Sequence, residues 1–187
     1  MGALSIDRIL PGCPDYPADE GAYCNDYPVL LEQAEAALDR RREAYPGMVA
    51  SGQIDQQAAA ADIAAWEWIA AEWRWIISGE GEAPPSWTLF DRIAALDLAL
   101  DRVGQQRSRK PRDKDLERQQ ALILAMRWHL SRLQGWTPLV HTLAALTHQL
   151  RARAALPLCT TCERRSTDPA VIACTRTDCG LKQKDAA

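Results

Sequence analysis

The stretch Ile63 to Ile77, IAAWEWIAAEWRWII, is where the fold class is written. Ile63, Trp66, Ala70, Trp73 and Ile77 recur at spacings of three and four, one face of an α-helix; a half-buried strand would alternate apolar and polar residues every second position. Trp68 and Trp75, seven residues apart, widen that face on its flank, so more than one neighbouring helix must cover it. The expectation is an all-α protein, an irregular bundle of four to five helices.

Upstream, Ser51-Gly52-Gln53-Ile54-Asp55 reads as a tight reversal. Gly52 permits a left-handed exit, Ile54 can staple onto the next helix, and Asp55 can accept from the free N–H groups of its first turn. The helix before it starts at Asp26-Tyr27-Pro28, with the proline in the first turn. It runs through Leu30, Leu31, Ala34, Ala37 and Leu38 to Tyr45, where Pro46-Gly47 kinks or ends it. The two helices form an antiparallel hairpin.

Downstream, Gly79 to Pro85 is a break, and Ser86 is placed to cap a third helix carrying Leu89, Ile93, Leu96, Leu100 and Val103. A second break spans Gly104 to Asp113. A fourth helix takes Leu116, Ile123, Leu130 and Leu133 and ends at Gly135. Thr137-Pro138 opens a fifth, with Leu139, Leu143, Leu146 and Leu150 on one face. The longest strand pattern is Ala170 to Ala173.

The chain has 187 residues, enough for one core and a small appendage. The expected organisation is an irregular arm over 1–27, rich in Pro and Gly, a helical domain over 28–156 and a tail over 157–187. Seven tryptophans against a single phenylalanine give this core its bulk as indole. No run approaches 18 uninterrupted apolar residues and no basic, then apolar, leader opens the chain, so a soluble protein of the cytoplasm is expected.

Four of the six cysteines, Cys159, Cys162, Cys174 and Cys179, fall within the last 29 residues. A CxxC turn aims two thiolates at one ion, and the second pair completes a tetrahedral four-cysteine site. The four-residue gap in the second pair is looser than the usual two. Structural Zn2+ is preferred here over disulfides or a redox role, and a tail this short needs such a staple to fold. Arg164, Arg165 and Arg176 offset the charge of a four-thiolate zinc centre. Cys13 and Cys24 are left without an assigned role.

Net charge of −3 conceals a division: residues 1–103 hold 18 acids and 7 bases, −11, while residues 104–187 hold 7 acids and 15 bases, +8. Summed charge of one sign steers a partner to a surface. The dense basic run Arg107, Arg109, Lys110, Arg112 and Lys114 is the candidate for nucleic-acid contact, set against a solvated linker as the plain reading. Trp66 and Trp73 belong to the core face. Trp68, Trp75 and Trp87, with the acids Glu80 and Glu82, are the candidate partner-binding residues, because aromatic side chains dominate interface hot spots. Catalysis finds little support: His129, His141 and His148 do not sit at metal-ligand spacing, and no phosphate loop, GxSxG or HExxH occurs.

Residues 30–78 resemble a helical hairpin of small bacteriophage and prophage proteins of unassigned function. The likeness rests on Arg40-Arg41-Arg42-Glu43-Ala44-Tyr45-Pro46, on Val49-Ala50-Ser51-Gly52-Gln53-Ile54-Asp55, and on Ala61-Asp62-Ile63 with Trp66. It implies a mobile-element protein acting in a bacterial host by binding and blocking a protein or nucleoprotein complex, anti-CRISPR inhibitors being one such kind. The expected function is therefore a non-enzymatic inhibitor or adaptor, and the alternative is a zinc-knuckle regulator that binds nucleic acid.

Overall fold

In the computed structural model, which describes residues 23–155, the first helix α1 runs Tyr27–Ala50, with Asp26 at its N-cap position and Pro28 in the first turn. Pro46 does not end it. A proline here removes one bond to the carbonyl four residues back. Both Pro46 and Arg42 are exposed, so water can serve that carbonyl and the helix continues. The chain then reverses at Gly52, whose φ of 70° needs a residue without a Cβ. Asp55 accepts from the N–H groups of Gln57 and Ala58 at 2.8 and 3.1 Å, and α2 runs Gln56–Ser78 from that cap. Gly79, at φ 78°, closes α2 as its left-handed cap.

Three boundaries differ from the sequence reading. Ser86 does not cap the third helix; it opens a 3-10 turn, Ser86–Thr88, that leads into α3 (Leu89–Arg109). Gly104 does not break α3, because its backbone stays helical and one glycine costs only about 1 kcal/mol. The connection therefore shrinks to Lys110–Asp113, and Asp113 caps α4 (Lys114–Ser131) by accepting from Asp115 and Leu116 at 3.1 and 3.2 Å. Finally, α4 ends before a small antiparallel hairpin, β1 (Leu133–Gln134) and β2 (Thr137–Pro138). Its two-residue loop is Gly135-Trp136, with Gly135 at φ 65°, the positive angle such loops require. The last helix, α5, is Leu139–Ala155.

α1 packs on α2, α2 on α3, α3 on α4, and α4 back on α1, so four helices close a ring around one core. Leu30, Ala34, Trp66, Ile69, Trp73, Leu96, Ile123 and Met126 fill it, each at most 1 % exposed. The core faces are turned by a fraction of a turn from the expected ones. On α2 the buried row is Trp66, Ile69, Trp73 and Ile76, leaving Ile63 and Ile77 half-buried at its edge. On α5 the buried residues include Val140 and Ala144, while Leu139 and Leu143 are half-buried and Leu146 and Leu150 exposed. The described chain divides after Ala145 into two compact units, the second represented by the C-terminal part of α5.

Candidate functional site

Two charged residues occupy core positions. Glu72 on α2 and Arg92 on α3 are both 0 % exposed. Arg92 Nη1 donates to Glu72 Oε1, and His141 Nε2, from the start of α5, donates to the same oxygen. Arg92 Nε also reaches the carbonyl of Thr88 at 3.4 Å, while Glu72 Oε2 and Arg92 Nη2 meet no hydrogen-bond partner among the described residues. A second histidine, His129 on α4, donates from Nε2 to the carbonyl of Cys24 at 2.8 Å, since a carbonyl can only accept. Its ring lies 4.8 to 5.6 Å from those of Trp128, Trp73 and Tyr27. Burial, only partly offset by that bond, pushes its pKa down from 6.5 to about 4. These groups lie inside the helical ring, where the pair Glu72–Arg92 ties α2 to α3.

Sequence reasoning missed Glu72 and Arg92. The signal was present: Glu72 follows Ile69 by three and precedes Ile76 by four, and Arg92 stands in the same relation to Leu89 and Leu96. A charge in a heptad core position marks either a partner within the core or a misplaced face.

The outward face of α3 differs sharply. Trp87 is 73 % exposed, Phe90 65 % and Leu98 43 %. With exposed Ala94 they are spaced three, four and four apart, so one apolar stripe points to solvent. Asp91 and Asp101 are exposed on the same helix, and Glu80 and Glu82 are exposed in the connection before it. Trp87, Glu80 and Glu82 thus fall in one stretch of chain. Of the other candidate anchors on α2, Trp68 is 36 % exposed, and Trp75 is half-buried with its ring edge-on to His141. Phe90 and Leu98 escaped the sequence reading, although their spacing from Trp87 could have disclosed them.

The basic run is two helix ends joined by a short turn. Arg107 and Arg109 close α3, where cations suit the helix dipole, and Lys114 opens α4. Arg107 donates to Gln120, and Lys114 donates to Glu117 at 2.7 Å, a bond that holds the Glu117 carboxyl below its ordinary pKa. Arg109, Lys110 and Arg112 are exposed. Asp97 on α3 pairs with Arg127 at 2.8 Å and not with this run.

The four expected zinc ligands, Cys159, Cys162, Cys174 and Cys179, lie outside the described residues, as do Cys13 and the arginines Arg164, Arg165 and Arg176. Among the described residues no group of three or more His, Cys, Asp or Glu is arranged to hold a metal, and no helix is long and apolar enough to cross a membrane. The chain matches no protein-family model, no curated protein and no solved structure.

Proposed function

We propose that this chain is a non-enzymatic docking protein that binds a bacterial protein or nucleoprotein complex and inhibits or adapts it. The observation that carries this reading is the stripe Trp87, Phe90 and Leu98, apolar and turned to solvent along α3 and the 3-10 turn before it. Large aromatic side chains exposed in a row supply the anchors of an interface. Their neighbours Glu80, Glu82, Asp91 and Asp101 make the partner a surface with an apolar pocket and a basic rim, such as one that holds nucleic acid. The resemblance of residues 30–78 to phage hairpins supports a host complex as that partner, a defence complex included.

The tail adds a structural zinc on Cys159, Cys162, Cys174 and Cys179, each bound as thiolate. Native mass spectrometry is expected to show one zinc per chain, lost when Cys159 and Cys162 become serine.

Affinity capture from bacterial lysate followed by mass spectrometry tests the docking role. The wild-type chain should retain a defined complex that Trp87→Ala with Phe90→Ala releases, while the thermal midpoint hardly moves. Capture of no protein, alongside tight binding of DNA by the purified chain, would overturn it. Exposed Arg109, Lys110 and Arg112 favour the second reading, a nucleic-acid-binding regulator. That reading requires affinity that falls steeply with salt and is lost when Arg107, Arg109, Lys110 and Arg112 are neutralised.

A further inference from the structure

Helices α1, α2, α3 and α4 border a cavity of about 310 Å³ whose charged lining residues are all cationic: Arg40 and Arg41 from α1 and Arg102 from α3. Arg41 is fixed in place. Its Nε donates to Asp62 at 3.0 Å, its Nη1 donates to the carbonyl of Ala37 at 2.8 Å, and its guanidinium sits 4.1 Å from the centre of the Trp66 ring. Arg102 Nη1 donates to Tyr45 Oη at 3.2 Å and stands 3.7 Å from the Asp62 carboxylate, to which Tyr45 itself donates. Arg40 has no hydrogen-bond or ion-pair partner among the described residues.

Among the described residues one carboxylate, Asp62, is thus shared by two guanidiniums, and the third, Arg40, is left without one. Arg40 is exposed at this site, and neighbouring protein atoms, then the adjacent Arg41 charge, hold its pKa below the ordinary value. Two of the lining residues carry a further donor, Gln33 Nε2 and Trp66 Nε1, that is buried and meets no acceptor among the described residues. The buried unmatched groups of the lining residues are thus donors, and their charged groups are cations, which suits an oxyanion. Exposed Ala44 supplies apolar surface beside them, and buried Ala99, Val103 and Ile123 back the site from the core.

We propose that this cavity binds a small organic phosphate, its oxygens on Arg40 and Arg102 and its organic part against exposed Ala44. Guanidinium meets phosphate through paired N–H bonds, which gives direction as well as charge. The volume lies at the lower end of small-molecule sites, about 300 to 1,000 Å³, which fits a ligand up to a mononucleotide and excludes a duplex. The site is separate from the α3 stripe, so it stands or falls independently of the docking reading.

Calorimetric titration and thermal midpoints of the full chain test it, with inorganic phosphate, adenosine 5′-monophosphate and citrate as probes. The monophosphate should bind saturably and more tightly than inorganic phosphate, and both should raise the midpoint. Arg40→Ala and Arg102→Ala should each weaken the monophosphate about tenfold or more. Arg42→Ala, whose guanidinium instead bonds Glu67 at 2.8 Å, should leave it unchanged. Because Arg40 is exposed and has no hydrogen-bond or ion-pair partner among the described residues, the ligand-free midpoint of Arg40→Ala should not fall below that of the wild type, which separates lost binding from lost folding. No saturable binding of either phosphate would overturn the proposal, as would affinity indifferent to Arg40. So would citrate binding as tightly as the monophosphate, or binding confined to oligonucleotides.

Discussion

Arg92 and Glu72 are a charge pair from which water is excluded, and their worth is asymmetric. Desolvating both ions cancels much of their attraction, so the pair adds little net stability, yet deleting one partner leaves the other charged, buried and unmatched. Arg92→Met is accordingly expected to lower unfolding free energy by about 3 to 5 kcal/mol in urea titration. Adding Glu72→Gln, which keeps an acceptor for His141, should recover a large part of that loss. Equal loss in the single and double variants would contradict this account. Here the sequence was legible only in outline. Trp66 and Trp73 were expected in the core and are there, at 0 % exposure. Buried Glu72 and Arg92 were not expected, because apolar periodicity rewards the residues that fit a stripe and passes over the one that interrupts it.

At the scale of the helix, capping and punctuation were read unevenly. Asp55 was legible because its chemistry is local: a carboxylate two and three residues before free N–H groups has an obvious task. Asp55→Ala should cost about 1 kcal/mol, measured by thermal or chemical unfolding. Gly104 misled for the opposite reason. Glycine is a breaker only where nothing else holds the helix, and α3 is held on both sides by α2 and α4. Its backbone is helical and a Cβ placed on it meets nothing within 4 Å. Gly104→Ala should therefore stabilise the protein by about 0.5 to 1 kcal/mol, by restricting the unfolded chain and favouring the helix. A destabilised Gly104→Ala variant would show that the site is packed more closely than this. The hairpin Leu133–Pro138 was invisible beforehand, since two residues per strand carry no alternation to detect.

The whole molecule depends on closing its ring of helices, and His129 stands at that closure. From α4 it bonds the carbonyl of Cys24, just ahead of α1, while its ring packs on Tyr27 of α1 and Trp73 of α2. One neutral imidazole thus joins three parts of the ring, a long-range meeting that no local pattern in the sequence announces. Its protonation should loosen the ring. With the folded pKa near 4 and the ordinary value 6.5, the unfolded chain takes up a proton across that interval and the folded chain does not. Stability from this group is complete above about pH 6.5, declines as pH falls, and stops changing below about pH 4, a loss of about 3 kcal/mol in all. Carboxylates titrate at the acid end of the same window, so the comparison that isolates His129 is with His129→Gln, which keeps an N–H for the Cys24 carbonyl but cannot ionise there. Urea midpoints of the two proteins from pH 7.5 to 4 should converge as pH falls, because only the wild type has this stability to lose. Parallel curves would show that the ring tolerates a charged imidazole and would overturn this role of His129.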